Sequence, residues 1–381
     1  MTLKTIVEPP SAAGALQGND QIEIREAQPS DNDGLLELTR STPMAGNIAL
    51  RIDRDPNFFA LLQARGEVIA FVATHDGKVI GCMSAAIYEA HVRGVLEKVA
   101  HSGDLKVHPH FTGRRLALRL ISATEAALRA RGIDLSFSLV ADGNERPMRI
   151  TRGEHGTPAH VTLGHFFVDE LLPSPLRKKS RRYTVGTADR GDLNAISEML
   201  NDFSRSRLFA RTASLEDLER QCNPSAAGFQ AKMFVAREGE RAVATLTVAD
   251  TQALRRNVLM GLPAGLHAAV TLLRLLALPF GKFRIPCIGQ PVATLYVRSM
   301  ACAKGHEAAL GLLISEARAE AFRRRYTFLT VGLHERDPMR CIIAGTPRLT
   351  FISHIMATSL ATPSRAATLT EEIPYEDYAL V

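Results

Sequence analysis

Cysteine is scarce in this 381-residue chain. The five, Cys82, Cys222, Cys287, Cys302 and Cys341, are scattered and odd in number, and none forms a CxxC pair. That argues against a disulfide framework and against a zinc site, and no metal is expected. No run reaches 18 apolar residues, so no membrane-spanning helix is expected. The opening MTLKTIVEPPSAAGALQGNDQ lacks the apolar core of a secretory signal, and the sequence reads as a soluble, cytoplasmic protein. Charge of one sign is missing too: 46 Lys and Arg stand against 40 Asp and Glu, a net +6. This balance suits an anionic small ligand or an acidic partner protein. It does not require nucleic acid, and no clustered basic helix with turn–helix spacing points to DNA. What remains is globular material, 46% hydrophobic and 23% charged. Disorder as a class is excluded, and the length suits two domains of about 170–190 residues.

The chain repeats itself, and the repeat decides the architecture. Leu120-Ile121-Ser122 recurs as Leu313-Ile314-Ser315, an offset of 193. Pro147-Met148-Arg149 recurs as Pro338-Met339-Arg340, an offset of 191, and Gly156-Thr157-Pro158 as Gly345-Thr346-Pro347, an offset of 189. His165 and His354 keep that last spacing. The starts agree as well: IEIREAQPSDNDGLLEL (22–38) and YTVGTADRGDLNAISEM (183–199) each read as a short strand, a polar turn and a helix. Ser30 or Asp31 in one copy, and Asp189 in the other, are expected helix caps. The divisions predicted are an N-terminal tail (1–21), a first domain (22–170), a Pro-rich then basic linker (171–182), a second domain (183–358) and a tail (359–381).

Within the first half, Val68–Thr74 and Val79–Ala86 flank His75-Asp76-Gly77-Lys78, a hairpin signal with Asp-Gly in the bend. Arg114–Arg131 is predicted helical, with Leu116, Leu120, Ile121, Thr124 and Leu128 on one face and Gly132 as its stop. A strand follows at Leu135–Val140. The second half repeats the pattern with a helix over Ala308–Arg325 and a strand over Tyr326–Val331.

The most informative stretch is LKVHPHFTGRRLA (105–117). A strand ends, a short loop carrying Thr112 and Gly113 follows, and a helix opens. A helix start exposes unpaired N–H groups and partial positive charge, and glycine lets an anion approach the backbone. Arg114 and Arg115 add two cations beside this pyrophosphate-sized seat. A connecting loop with solvated arginines would look the same.

DLKVHPHFTGRRLALRLISATEAALRARG (104–132) resembles the acyl-CoA-binding segment of GCN5-related N-acetyltransferases, the GNAT superfamily. There a strand ending Leu-x-Val-x-Pro leads through a Gln/Arg-x-x-Gly-x-Gly/Ala loop into a long helix. The next strand and Asn144 resemble that family's fifth strand and the asparagine after it. The resemblance implies an α/β fold of two GNAT-like domains in tandem, each with a mixed, mostly antiparallel sheet flanked by helices. There are departures. His110 and Arg115 replace two loop positions of the first half. In the second half the loop reads Cys302-Ala303-Lys304-Gly305-His306-Glu307, and Glu307 sets negative charge where a diphosphate would lie. The first half is therefore expected to be the better CoA site.

What the resemblance implies mechanistically is direct transfer of an acyl group, acetyl first among them, from acetyl-CoA or another acyl-CoA to a small-molecule amine or amino-acid-like acceptor. Leu105, Val107, Thr112, Gly113, Arg114, Arg115 and Asn144 would contact the cofactor. Asp104, His101 and Glu97 are the candidate bases, with His108 behind them. No tyrosine lies between Asn144 and His165 to serve as the acid some family members place there. His165 and His354 read as repeated strand histidines. Cys302 lacks the histidine and carboxylate a nucleophile would need. An acyl carrier protein as donor, or a scaffold that kept the fold and lost the chemistry, are the alternatives.

Two segments stand outside the repeat. LPAGLHAAVTLLRLLALPFGKFRIPCIGQPV (262–292) has helical apolar spacing, suited to packing between domains, to lining an apolar tunnel or to a membrane surface. The tail 363–381 is acidic, with Glu371, Glu372, Glu376 and Asp377. Such a tail either docks on a basic groove or stays mobile.

Overall fold

The computed structural model describes residues 22–43, 49–154, 160–222, 229–262, 265, 286–362 and 364–381. In the first half β1 (Glu23–Glu26) leads through a 3-10 turn into α1 (Asn32–Ser41). β2 (Ala49–Asp53), α2 (Ala60–Arg65), β3 (Glu67–His75), β4 (Lys78–Val92) and β5 (Val95–Val107) follow. Then come α3 (Leu116–Ala130), β6 (Leu135–Ala141), α4 (Glu145–Thr151) and β7 (Val161–Leu171). The second half runs β8 (Thr184–Thr187), α5 (Leu193–Arg205), α6 (Leu215–Cys222), β9 (Gln230–Glu238) and β10 (Arg241–Asp250). It ends with β11 (Arg256–Gly261), β12 (Pro291–Val292), β13 (Thr294–Cys302), α7 (Glu307–Arg323), β14 (Phe328–His334) and β15 (Arg348–Ser359).

Local chemistry produces most of these elements as expected. The β3–β4 hairpin turns at Asp76 and Gly77, both left-handed (φ 49° and 74°), the geometry that matches the twist of flanking strands. The buried face of α3 is Leu116, Leu120, Ile121, Thr124 and Leu128, and Gly132 ends it with φ 73°. Asp189 caps the second 3-10 turn by accepting the Gly191 N–H at 2.8 Å. In the first half the cap position is Gln28, and Asp31 closes the box by accepting the Gln28 N–H at 2.7 Å. The Pro-Met-Arg repeat forms part of α4 in one half and a 3-10 turn (Pro338–Ile343) in the other. Gly156-Thr157-Pro158 lies outside the described residues, as does most of the apolar 262–292 segment.

Twelve strands form one sheet in the order β1-β3-β4-β5-β6-β15-β7-β14-β13-β10-β9-β8. Each half contributes six strands, and the outer five of each keep the same spatial order counted inward from its own edge. The centre is exchanged: β15 pairs with β6 of the first half, β7 pairs with β14 of the second, and β7 and β15 pair with each other. β2 and β11 join the halves again in a three-stranded sheet. His165 and His354, the repeat-related histidines, stand opposite each other at the seam, their ring centroids 4.9 Å apart. Each has its own acidic partner, Glu335 at 2.8 Å and Asp142 at 3.1 Å.

The seam also carries buried carboxylates. Asp169 on β7 is fully buried and accepts from Arg348 Nε at 3.0 Å and Thr350 Oγ1 at 2.6 Å. Its neighbour Glu170 accepts from Thr330 Oγ1 at 2.6 Å, and burial pushes its carboxyl up to about 7. A carboxyl raised in the fold favours the folded state most below the unfolded value, and that support is lost as pH climbs toward 7. Glu170→Gln is therefore expected to stabilise the protein by about 1 kcal/mol at pH 8 and by nothing at pH 4. Thermal melts at the two pH values check this; equal shifts at both would contradict it.

Candidate active site

β5 and β6 separate where the sequence placed the donor. Their parallel pairing covers only Ala100↔Ser136 and His101↔Phe137, after which β5 runs on to Val107 and β6 to Ala141. A bulge in the β4–β5 register between Cys82 and Ser84 coincides with left-handed Asp104 (φ 54°), and bulges re-aim a strand in this way. Leu105 and Val107 pack beside Leu116 and Leu120 of α3. Beyond β5 the chain passes through a 3-10 turn (Pro109–Phe111), then Gly113 (φ 86°) and Arg115 (φ 54°), into α3. Arg115 holds the N-cap position without a side-chain cap. Residues Thr112 to Arg115 are all exposed. A Cβ at Gly113 would meet no atom within 4 Å, as at Gly305 of the second half. The Arg114 guanidinium lies over the Phe111 ring at 5.3 Å.

The second half builds the same wedge. β13 pairs with β14 only from Thr294 to Tyr296, and the β10–β13 register shifts between Thr247 and Val248. Gly305 is left-handed as well (φ 82°). Here, however, Glu307 turns back and accepts the Gly305 N–H at 3.1 Å. Its bonds to its own amide and to that of Gly305 hold the Glu307 carboxyl below the usual range. A carboxylate of the chain thus fills the position where a bound anion would sit. Cys302, at the end of β13, is partly buried, and burial with Glu307 nearby pushes its thiol up to about 11.

The three sequence-predicted bases lie apart along β5. Glu97 is clamped by Arg365 Nη2 at 2.7 and 2.6 Å. Asp104 receives Arg54 through two bonds, 2.8 and 2.7 Å, and Ser84 Oγ at 2.6 Å. Burial works to raise its carboxyl, but Arg54, Lys106 and Ser84 together hold it below the usual range. This makes it a poor proton acceptor and a firm anchor for the bulge. His101 stands at the mouth of the wedge, edge-on to Phe137 at 5.2 Å, and Phe137 stacks on Phe209 at 4.1 Å. Burial, then Arg65, pushes the imidazole well below its ordinary pKa, so it is neutral at pH 7. Asn144 sits half-buried at the N-cap position of α4, its carbonyl accepting the Met148 N–H at 3.4 Å.

The acidic tail docks, and it brings the group that local sequence reading missed. Glu376 is 6% exposed and pairs with Arg65 of α2 at 3.0 Å. Its Oε2 lies 3.9 Å from His101 Nε2. Burial pushes this carboxyl up to about 7. The partners are 311 residues apart, so only the tail's acidity against a basic protein hinted at the contact. Asp377 pairs with Arg298 at 2.6 Å, and the Tyr375 hydroxyl donates to the Arg298 carbonyl. Arg65, Glu376 and Arg298 line a cavity of about 420 Å³ between the halves. Among the described residues no cluster of His, Cys, Asp and Glu could hold a metal ion, and no helix is long and apolar enough to cross a membrane.

Comparison with known proteins agrees with this geometry. The acetyltransferase (GNAT) family model matches residues 35–150. No curated protein sequence matches the chain. Among solved structures, it is similar to a tandem GNAT protein from the clavulanic acid biosynthesis pathway, solved without AcCoA. The identity is 13% and the TM-score 0.58, over 90% of this chain and 99% of that one. It is also similar to Saccharomyces cerevisiae N-myristoyltransferase with bound myristoyl-CoA, at 11% identity and a TM-score of 0.60, over 93% of this chain and 89% of that one. The doubled sheet therefore has the fold of tandem GNAT proteins, and the acetyltransferase (GNAT) family model matches within its first copy.

Proposed function

We propose that this chain is an acyl-CoA-dependent N-acyltransferase whose first half holds the donor, acetyl-CoA or another acyl-CoA. The observation that carries the reading is the contrast between two equivalent turns. A Cβ would meet nothing within 4 Å at either glycine, but the turn at Gly113 is flanked by Arg114 and Arg115, while at Gly305 the N–H is already taken by the Glu307 carboxylate. The diphosphate would rest on the first amides of α3. The pantetheine arm would enter between β5 and β6, with Asn144 beside it and the thioester near the Asp104 bulge. Backbone amides freed by the splay would polarise the thioester carbonyl.

A neutral amine arriving from the 420 Å³ cavity would attack the carbonyl carbon. The C–N bond forms, the C–S bond breaks, and the thiolate leaves to take a proton from water. The amine proton goes to Glu376, with neutral His101 holding the approach beside it. A carboxyl near 7 is matched to that task at neutral pH. Asp104 and Glu97, each already held by arginine, keep the strand in place.

Isothermal titration with acetyl-CoA, hexanoyl-CoA and myristoyl-CoA tests this reading. One molecule of at least one donor is expected per chain, followed by thiol release when amines are added. No heat from any of the three at millimolar ligand would overturn it. Two equal sites per chain would overturn the assignment to the first half. Binding without thiol release would favour a scaffold, and release only from an acyl carrier protein would favour that donor.

A further inference from the structure

The cavity between the halves holds an internal charge pattern that points to its occupant. Three of its guanidinium groups are matched: Arg65 with Glu376 at 3.0 Å, Arg298 with Asp377 at 2.6 Å, and Arg220 with Asp217 at 3.0 Å. Arg211 has no carboxylate partner among the described residues. Its guanidinium lies over the Tyr88 ring at 3.8 Å and donates to the Arg65 carbonyl. Asp377 and Glu376 act on it only through space, each being paired with another arginine, and a carboxylate in direct contact would relieve the cost of its burial.

Two lining residues each carry an unsatisfied side-chain atom that is buried from solvent. Arg65 Nη1 and Glu376 Oε2 are buried and find no hydrogen-bond partner among the described residues. Glu376 Oε2 is an acceptor and calls for a donor such as an amine. It also lies on the His101 side, toward the first wedge. The apolar part of the wall is Leu200, Phe203, Phe209 and Phe229, beside polar Gln63, Thr212 and Gln221.

We infer that the acyl acceptor is a free amino acid with an apolar or aromatic side chain, its carboxylate held by Arg211 and its amine directed at Glu376. The inference rests on the acyltransferase reading above, and it gives that reading its substrate class. A zwitterion satisfies both poles at once, whereas a plain amine leaves Arg211 unmatched and a plain acid leaves Glu376 Oε2 unmatched. In the reaction the ammonium first loses one proton to water, and as the neutral amine attacks its second proton passes to Glu376 while the C–S bond breaks and the thiolate takes a proton from water. The products are the N-acyl amino acid and the free thiol.

The test measures acceptor binding without any acyl-CoA, so it stands apart from the donor assignment. L-phenylalanine, L-leucine, phenethylamine and 3-phenylpropionate are titrated into the full-length protein. At least one amino acid is expected to bind at least tenfold more tightly than either phenethylamine or 3-phenylpropionate. Arg211→Met is expected to remove that preference, and Arg211→Lys to keep part of it. Circular dichroism confirms that both variants are folded; should Arg211→Met fail to fold, Arg211→Lys and the ligand series decide. Equal binding of the amine and the amino acids, no amino-acid binding, or an unchanged preference in a folded Arg211→Met would each overturn the inference. If amino acids bind but no acyl-CoA does, the acyltransferase reading fails and the amino-acid site remains.

Discussion

Gly113→Asp is expected to weaken acyl-CoA binding at least 100-fold, a loss of about 2.7 kcal/mol. Aspartate is the informative substitute. It is among the few residues that tolerate left-handed backbone, and its Cβ meets nothing within 4 Å, so the turn keeps its shape. What changes is the charge facing the diphosphate, at the point where helix amides would otherwise grip it. Gly305→Asp is the paired control. Gly305 has almost the same backbone, φ 82° against 86°, but its seat already holds Glu307. Binding there is expected to change by less than threefold. Titration calorimetry on both variants reads the difference, and the reverse ranking would move the donor to the second half.

Glu376→Gln is expected to lower kcat by 100- to 1,000-fold while leaving acyl-CoA affinity unchanged, within the range that removal of a general base produces. The pH profile gives the sharper readout. Burial pushes the Glu376 carboxyl up to about 7. Below that pH it is protonated and cannot accept a proton; above it the carboxylate is free to do so. Wild-type kcat/KM should therefore rise through about pH 7, and the rise should vanish in the variant. Arg65 loses its charged partner in this change, so melting curves run alongside, and Glu376→Asp should recover part of the rate. A full rise near pH 7 in a folded Glu376→Gln protein would assign the proton to another group.

Much of this arrangement was legible in the residues themselves, and the reason is locality. The five-residue buried face of α3 follows from helical spacing, the hairpin from Asp76-Gly77, and the left-handed turn at Gly113 from a glycine between a strand and a helix. The repeat foretold two copies of one strand order. Contacts between distant residues left no such trace. Asp104 and Glu97 stood out as acids near a strand end, yet Arg54 and Arg365 come from elsewhere in the chain to hold them. The tail's acidity allowed docking or mobility, and only the buried Arg65–Glu376 pair distinguishes the two. Exchange of β7 and β15 is equally invisible, because either pairing would bury the same apolar faces.

That exchange makes each copy a tenant in the other's house. Removing residues 183–381 would strip β15 from beside β6 and leave β7 without its neighbours, baring ladder groups that invite aggregation. The second copy is thus held in place by carpentry, whatever its own turn binds.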